Sequence, residues 1–317
     1  MKDRIHIKRY SPDFQSQWDS FVKQSFNATF LHRRAYMDYH ADRFRDFSLI
    51  FFVGEEPVAL MPAHRHEDKL WAHRGLTYGG WLWKKPFRTA VMIEMWQAMR
   101  RFLRREGIRR WCIRDIPPFY AAFMAGNNRY VYRRMGGRPR PVDFWIIDTR
   151  RPPDGLLNAD RRRSLRRAGN LSLSIERSEK WEEFWSLLEN SLQERHASRP
   201  VHTLREIRQL HARFPAHIHL VTARQGGELV AGAVVYETAR VARLQYLAGV
   251  ADEALRPAID ALVWHIIRDY YPQKGFIDLG SALLPDGTPH ESLIYWKESF
   301  GATPAVQYRW DFDVDNT

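Results

Sequence analysis

Apolar and polar positions fall into blocks along the 317-residue chain, and one block layout occurs twice. In the first copy, FSLIFFV (47–53) runs into the turn at 54–57, VALMPA continues to Ala63, and KLWAH (69–73) follows before Gly79-Gly80. In the second, HIHLVTA (217–223) meets Gln225-Gly226-Gly227, LVAGAVVY runs to Tyr236, and VARLQYLAG ends at Gly249. Short apolar or alternating runs separated by glycine-bearing turns predict a three-stranded antiparallel meander in each copy. The next segments match too. AVMIEMWQAMRRFLRREG (90–107) places Val91, Met95, Ala98, Met99 and Phe102 at helical spacing and closes on a glycine. Its counterpart, RPAIDALVWHIIRDYYPQKG (256–275), does the same with Ile259, Leu262, Val263, Ile266 and Ile267. Each helix leads into a short acid-bearing strand, RRWCIRD to Asp115 and GFIDLG with Asp278, and an amphipathic helix precedes each block (SQWDSFVKQS and SEKWEEFWSLLENSLQERH). The pattern predicts an α/β protein of two tandem domains with a mixed sheet in each. The Pro/Gly-bearing, arginine-rich segment 150–155 sets the expected boundary, giving domains 1–150 and 151–317.

Composition narrows the function classes. With 44% apolar and 14% aromatic residues the chain is not a disordered protein. Lys and Arg number 49 against 37 Asp and Glu, a net charge of +12, and arginines crowd between Arg100 and Arg167. Guanidinium forks suit phosphate, so the expected partners are nucleic acid, a nucleotide-linked substrate, CoA or an anionic membrane surface. The single cysteine, Cys112, lies in an apolar run and reads as a buried thiol, which excludes an intramolecular disulfide and suits a reducing cytoplasm. No run is apolar for the roughly 18–20 residues of a membrane span, and MKDRIHIKRY lacks the apolar stretch of a signal peptide. The expectation is a cytoplasmic protein without an integral membrane segment.

Two stretches carry candidate chemistry. Residues 274–302, KGFIDLGSALLPDGTPHESLIYWKESFGA, give a strand with Asp278, a stop at Gly280, a Pro/Asp/Gly loop, and a helix that delivers Lys297 just before Phe300-Gly301. Residues 159–174 hold Arg162, Arg166 and Ala168 in the form R-x-x-x-R-x-A, followed by a turn and a strand. The i,i+4 spacing puts both arginines on one helical face, where they either meet one phosphate or form a solvated basic helix end. W-K-x-x-F-G after a strand and a glycine loop, with the R-x-x-x-R-x-A segment and the doubled element order, resembles the Fem group of acyltransferases. These are tandem GNAT-type domains that move aminoacyl groups from tRNA onto peptidoglycan precursors. The resemblance implies two tandem GNAT-like acyltransferase domains and an N-acyltransferase with no permanently bound cofactor. The chain departs from the group in showing no long helical-arm insertion. Neither candidate phosphate loop (LTYGGWLWKKPFRTA or GVADEALRPAIDA) has the R-x-x-G-x-G/A pattern of CoA-binding GNAT enzymes. The donor therefore stays open between aminoacyl-tRNA, acyl-CoA and an acyl carrier protein. The acceptor is a small-molecule amine or a cell-envelope precursor.

Under this resemblance Lys297 supplies positive charge to an oxyanion or a substrate phosphate, and Asp278 orients Lys297 or the incoming amine; the plain alternative is a structural ion pair between them. Tyr246, near the end of the second meander, is placed to protonate a leaving group. The connector 193–206 holds His196, a spare base, and His202. Thr203 with Glu206 forms a capping box, so a helix starts there and His202 beside its N-terminus favours a neutral imidazole on the substrate side. The loop 73–80, with Tyr78 and the neighbouring Trp81, either forms a substrate-binding cleft with an amide nest or is a bulged turn. His-x5-His matches no common zinc motif, so no metal is expected. No G-x-S-x-G elbow or paired-carboxylate motif occurs, which points to direct attack without a covalent intermediate. The rival is a non-catalytic, degenerate transferase that holds RNA or anionic membrane through its arginine-rich surface.

Overall fold

The computed structural model describes residues 5–122, 127–152, 155–196, 198–284 and 286–315. In chain order the elements begin β1 (Ile5–Arg9), α1 (Gln15–Gln24), α2 (Arg34–Met37), β2 (Leu49–Val53), β3 (Glu56–Met61), β4 (His64–His66), β5 (Lys69–Trp71), β6 (Leu82–Trp83), α3 (Thr89–Arg105), β7 (Arg110–Arg114), α4 (Asn127–Arg134) and β8 (Arg138–Asp148). They continue with α5 (Ala159–Gly169), β9 (Leu173–Ser178), α6 (Trp181–His196), α7 (Leu204–Arg213), β10 (Ile218–Gln225), β11 (Glu228–Glu237), β12 (Val241–Gly249), α8 (Pro257–His265), β13 (Phe276–Asp278), α9 (Glu291–Glu298) and β14 (Thr303–Asp313). Two units result: Met1–Val142 with Val306–Thr317, and Asp143–Ala305. The division thus differs from contiguous halves meeting at residue 150, because the C-terminal strand returns to pair with β7 in the first unit.

In the first unit β1, β2, β3 and β6 form an antiparallel sheet. The run 69–73 was expected to complete a meander with β2 and β3. Instead β3 pairs with β6 through Ala59 and Leu60, while β5 pairs with β4 and runs parallel to β7. Pro62 explains the change: it follows Met61, has no N–H to give the ladder, and ends β3 there. The core is aromatic. Trp96 of α3 lies 4.5 Å from Trp111 and 4.4 Å from Phe312, ring centre to ring centre, with Met95, Met99 and Leu103 on the same buried helix face. Cys112 is buried in β7, and burial first, then Asp311, pushes its thiol up to about 11.

The second unit holds the strand order β8-β13-β12-β11-β10-β9. Here the meander β10-β11-β12 forms as the pattern predicts, and α8 returns the chain so that β13 lies parallel to β12. Helices cover both faces. A Cβ at Gly232 would meet Phe184 of α6 at 2.4 Å, whereas one at Gly249 would meet Ile259 of α8 at 3.1 Å. Gly249 pairs with Ala231 and Gly232 with Ala248, so these two glycines belong to opposite faces of the pleat. Leu262 and Val263 of α8, Ile266 just after it, and the strand residues Val221, Ala233 and Ile277 form one core.

Candidate active site

The second unit contains a split between parallel strands. The β12–β13 ladder lasts three positions, Val241↔Phe276, Ala242↔Ile277 and Arg243↔Asp278, after which β12 runs on to Gly249. The chain leaves β13 at Gly280, whose φ of +74° needs a glycine. The Gly280 N–H donates to Asp278 Oδ1 at 2.7 Å, fixing the turn. On the other side of the split β12 bulges. Leu244 pairs with Val235 and Tyr246 with Val234, so Gln245 is the extra residue and the strand bends there.

Asp278 is fully buried at the point where the ladder ends, and Arg243 Nη1 donates to its Oδ2 at 2.6 Å. Arg243 also donates to Gln245 Oε1 at 3.2 Å. The carboxylate expected to orient Lys297 is therefore held by an arginine of the neighbouring strand. Lys297 is delivered by α9 to the turn just beyond. Its Nζ donates to the carbonyls of Gly280 at 2.9 Å and Ser281 at 2.7 Å, and the side chain is 3% exposed. Among the described residues its ammonium forms no ion pair with a carboxylate. Burial pulls its pKa down to about 8, against the attraction of Asp278 and with help from Arg243. At pH 7 roughly nine in ten such lysines still carry the proton.

Tyr246 and His202 lie far apart in the sequence, and the fold brings them together. Tyr246 Oη lies 2.6 Å from His202 Nδ1 and accepts the His202 backbone N–H at 3.3 Å. Which of the two groups donates in the Oη–Nδ1 contact is set by the imidazole tautomer. Burial pushes the phenol up to about 12, so it stays a proton donor at neutral pH. Thr203 and Glu206 form the expected capping box, which starts α7 directly after His202. His196 ends α6, and its side chain lies outside the described residues.

The W-K-x-x-F-G segment is mostly a clamp. Trp296 Nε1 donates to Asp260 Oδ1 at 2.9 Å, and Ser164 donates to Asp260 Oδ2 at 2.6 Å. Asp260 also pairs with the buried Arg161, whose Nε donates to Ser299 Oγ at 2.9 Å and whose guanidinium lies 4.4 Å from the Phe300 ring centre. A Cβ on Gly301, at φ +80°, would meet Leu156 at 2.8 Å. These contacts lock α9 to α5 and α8 and leave Lys297 to reach the β13 turn. Arg161, Arg243 and Asp260 were missed in the sequence. The available signal was a lone charge in an otherwise apolar run, PAIDALVW for Asp260 and VARLQYLAG for Arg243.

Arg162 and Arg166 line a cavity of about 590 Å³ between α5, β9 and α8 that shares no residue with the split. Tyr78 and Trp81 do not face a cleft. They are 1% and 3% exposed in the first unit, with Tyr78 against Tyr120 at 4.5 Å and Trp81 stacked on Trp83 at 5.1 Å, because the glycine-rich loop turns these rings into the core. The turn before α8 is a poor phosphate cradle. Its Ala254 N–H donates to Asp252 Oδ1 at 2.8 Å, and Asp252 and Glu253 add negative charge. Among the described residues no three His, Cys, Asp or Glu side chains are placed to hold a metal ion.

Strand splitting, a bulged β12 and helices on both faces give the second unit a GNAT fold. Residues 159–282 match the model of the acetyltransferase (GNAT) domain family. Among solved structures the chain is similar to FemX, at 10% identity with 97% of each chain covered and a TM-score of 0.71. It is also similar to L-PGS from Bacillus licheniformis (10% identity, 98% and 94% covered, TM-score 0.62). A tandem GNAT protein from the clavulanic acid biosynthesis pathway gives 14% identity, 99% of each chain covered and a TM-score of 0.52. A comparison with curated protein sequences gives no match. The chain has a Fem-like GNAT fold, and the domain match and fold together support an acyltransferase.

Proposed function

We propose that the second unit transfers an acyl group from an activated ester or thioester to an amine by direct attack, with no covalent enzyme intermediate. The observation that carries this reading is the buried Lys297 ammonium at the end of β13, with two of its three N–H donors taken by carbonyls. On this reading the third, with the Trp145 ring centre 5.5 Å from Nζ, donates to the carbonyl oxygen that becomes an oxyanion as the amine adds to the acyl carbon. Burial makes this charge act through a low effective dielectric. When the C–O or C–S bond breaks, Tyr246 gives its proton to the leaving group, and the phenolate takes up the proton that the attacking amine loses, with His202 holding the phenol in place. The Asp278–Arg243 pair fixes the turn whose carbonyls hold Lys297.

The acidic turn before α8 favours a donor that does not place a pyrophosphate there, such as an acyl carrier or an ester-linked acyl group. The likeness to FemX and L-PGS favours an envelope precursor or a lipid-linked molecule as acceptor. A thermal-shift screen against CoA, acyl-CoAs, charged tRNA and UDP-linked muropeptide tests the donor and acceptor classes, since a ligand at 100 times its Kd adds about 2.7 kcal/mol. With a substrate in hand, Lys297→Met should lower kcat at least about tenfold while leaving the fold intact. Unaltered turnover removes Lys297 from the mechanism, and silence from every ligand favours a non-catalytic binder.

A further inference from the structure

A second feature of this unit lies apart from the split and is independent of the acyl-transfer reading. The cavity of about 590 Å³ between α5, β9 and α8 has an apolar floor of Leu165, Leu173, Ile175 and Trp264, with Arg162, Arg166 and Arg268 also in its wall. Its size falls within the range of small-molecule sites, and such sites combine an apolar lining with a few convergent polar groups. Arg268 has a local partner in Asp269, at 2.7 Å. Arg162 and Arg166 are exposed and show no carboxylate partner among the described residues, although like charges at i,i+4 are destabilising. By contrast Arg161, one residue away, is buried in the Asp260 network. The helix therefore uses one arginine as a strut and turns two others, unneutralised, onto an open apolar hollow. The wall also includes Ser172, held at φ +48°, a conformation costly for a non-glycine residue.

We propose that this cavity binds a phosphorylated amphiphile, its phosphate on Arg162 and Arg166 and its aliphatic tail on Leu165, Leu173, Ile175 and Trp264. Two guanidinium forks one helical turn apart can share a single phosphate, and the floor leaves apolar surface that only an apolar tail removes from water. Neither half of the ligand suffices, since free phosphate leaves the floor wet and an uncharged tail leaves the arginines unpaired.

The test uses the full chain and monomeric dihexanoyl phosphatidic acid, read by tryptophan fluorescence and thermal shift. Saturable binding is expected, with inorganic phosphate and dihexanoyl phosphatidylcholine each at least tenfold weaker. The double variant Arg162→Ala/Arg166→Ala should weaken binding at least tenfold. The double variant Arg163→Ala/Arg167→Ala removes the same charge from the same helix outside the cavity wall and should keep most of the affinity. Equal loss in the two double variants means diffuse electrostatic attraction and overturns the site, as does tight binding of the phosphatidylcholine or no binding of the phosphatidic acid. Leu173→Asn, on an edge strand, should weaken binding of the amphiphile at least tenfold while phosphate alone binds as before. Cosedimentation with vesicles containing phosphatidic acid, dependent on Arg162 and Arg166, assigns the ligand to a bilayer; monomer binding without cosedimentation assigns it to a soluble amphiphile.

Discussion

Lowering the pH from 7.5 to 5.0 should destabilise the first unit through its buried histidines. His32 is 0% exposed and its Nδ1 accepts the Thr29 N–H at 3.0 Å; His64 is 3% exposed and its Nδ1 accepts the Arg74 N–H at 3.2 Å. Burial pulls each down to about 4, and for His64 the charges of Arg74, His40 and His66 act in the same direction. The folded pKa lies below the unfolded value of about 6.5. The stability is therefore complete above pH 6.5 and is lost as the pH falls from there towards 4. At pH 5.0 each imidazole costs about 2 kcal/mol, or about 4 kcal/mol for the two. His40 and His73, stacked 4.9 Å apart and both lowered mainly by burial, add to the loss. Asp115 opposes it. Burial raises its carboxyl to about 6 despite Arg129 at 3.1 Å, so protonation on the way to pH 5.0 restores about 1.5 kcal/mol. The net loss is about 2.5 kcal/mol or more, a large share of the stability of an ordinary domain. Guanidinium unfolding at fixed ionic strength, at pH 7.5, 6.0 and 5.0, measures it, and imidazole NMR titration reads the two pKa values directly. His64→Gln keeps an acceptor for the Arg74 N–H without a titrating group, and should shrink the pH-dependent part by about 2 kcal/mol. Stability that stays flat between pH 7.5 and 5.0, or titration of His32 and His64 near 6.5, refutes the reasoning.

The second unit gives three other expected outcomes. Arg243→Met takes the guanidinium away from the buried Asp278 carboxylate and should cost up to about 3–5 kcal/mol in unfolding experiments; adding Asp278→Asn should recover part of it, and simple additivity of the two would disprove the pairing. Gly301→Ala should lower stability by at least about 2 kcal/mol, because the methyl meets Leu156 and the φ of +80° disfavours any side chain; a neutral result would mean that the α9 end is not packed as described. If the Lys297 ammonium stabilises the oxyanion, kcat should fall as pH rises through about 8, where the proton leaves. Lys297→Arg should push that limb beyond the measurable range, and a wild-type rate that is level from pH 7 to 9.5 would exclude the role.

What could be read from the sequence was local, and what could not was pairing at a distance. Apolar spacing gave the repeated layout and the capping box gave the start of α7, since each depends on residues within one element. The partners of charged and polar side chains came from elements far apart. Tyr246 and His202 are 44 residues apart, Arg243 and Asp278 are 35 apart, and spacing says nothing of which meets which. Lys297 and Asp278 share one motif and so invite pairing, yet the strand that lies beside Asp278 carries its cation. The same distinction applies to W-K-x-x-F-G itself. Trp296, Phe300 and Gly301 make the segment recognisable, and in the fold all three serve the lock around Arg161 and Asp260. The lysine takes no part in that lock. A chain with methionine at this position would fold the same clamp and lose the only ammonium aimed at the β13 turn among the described residues. The motif therefore argues for the fold, and the buried lysine inside it argues for the chemistry.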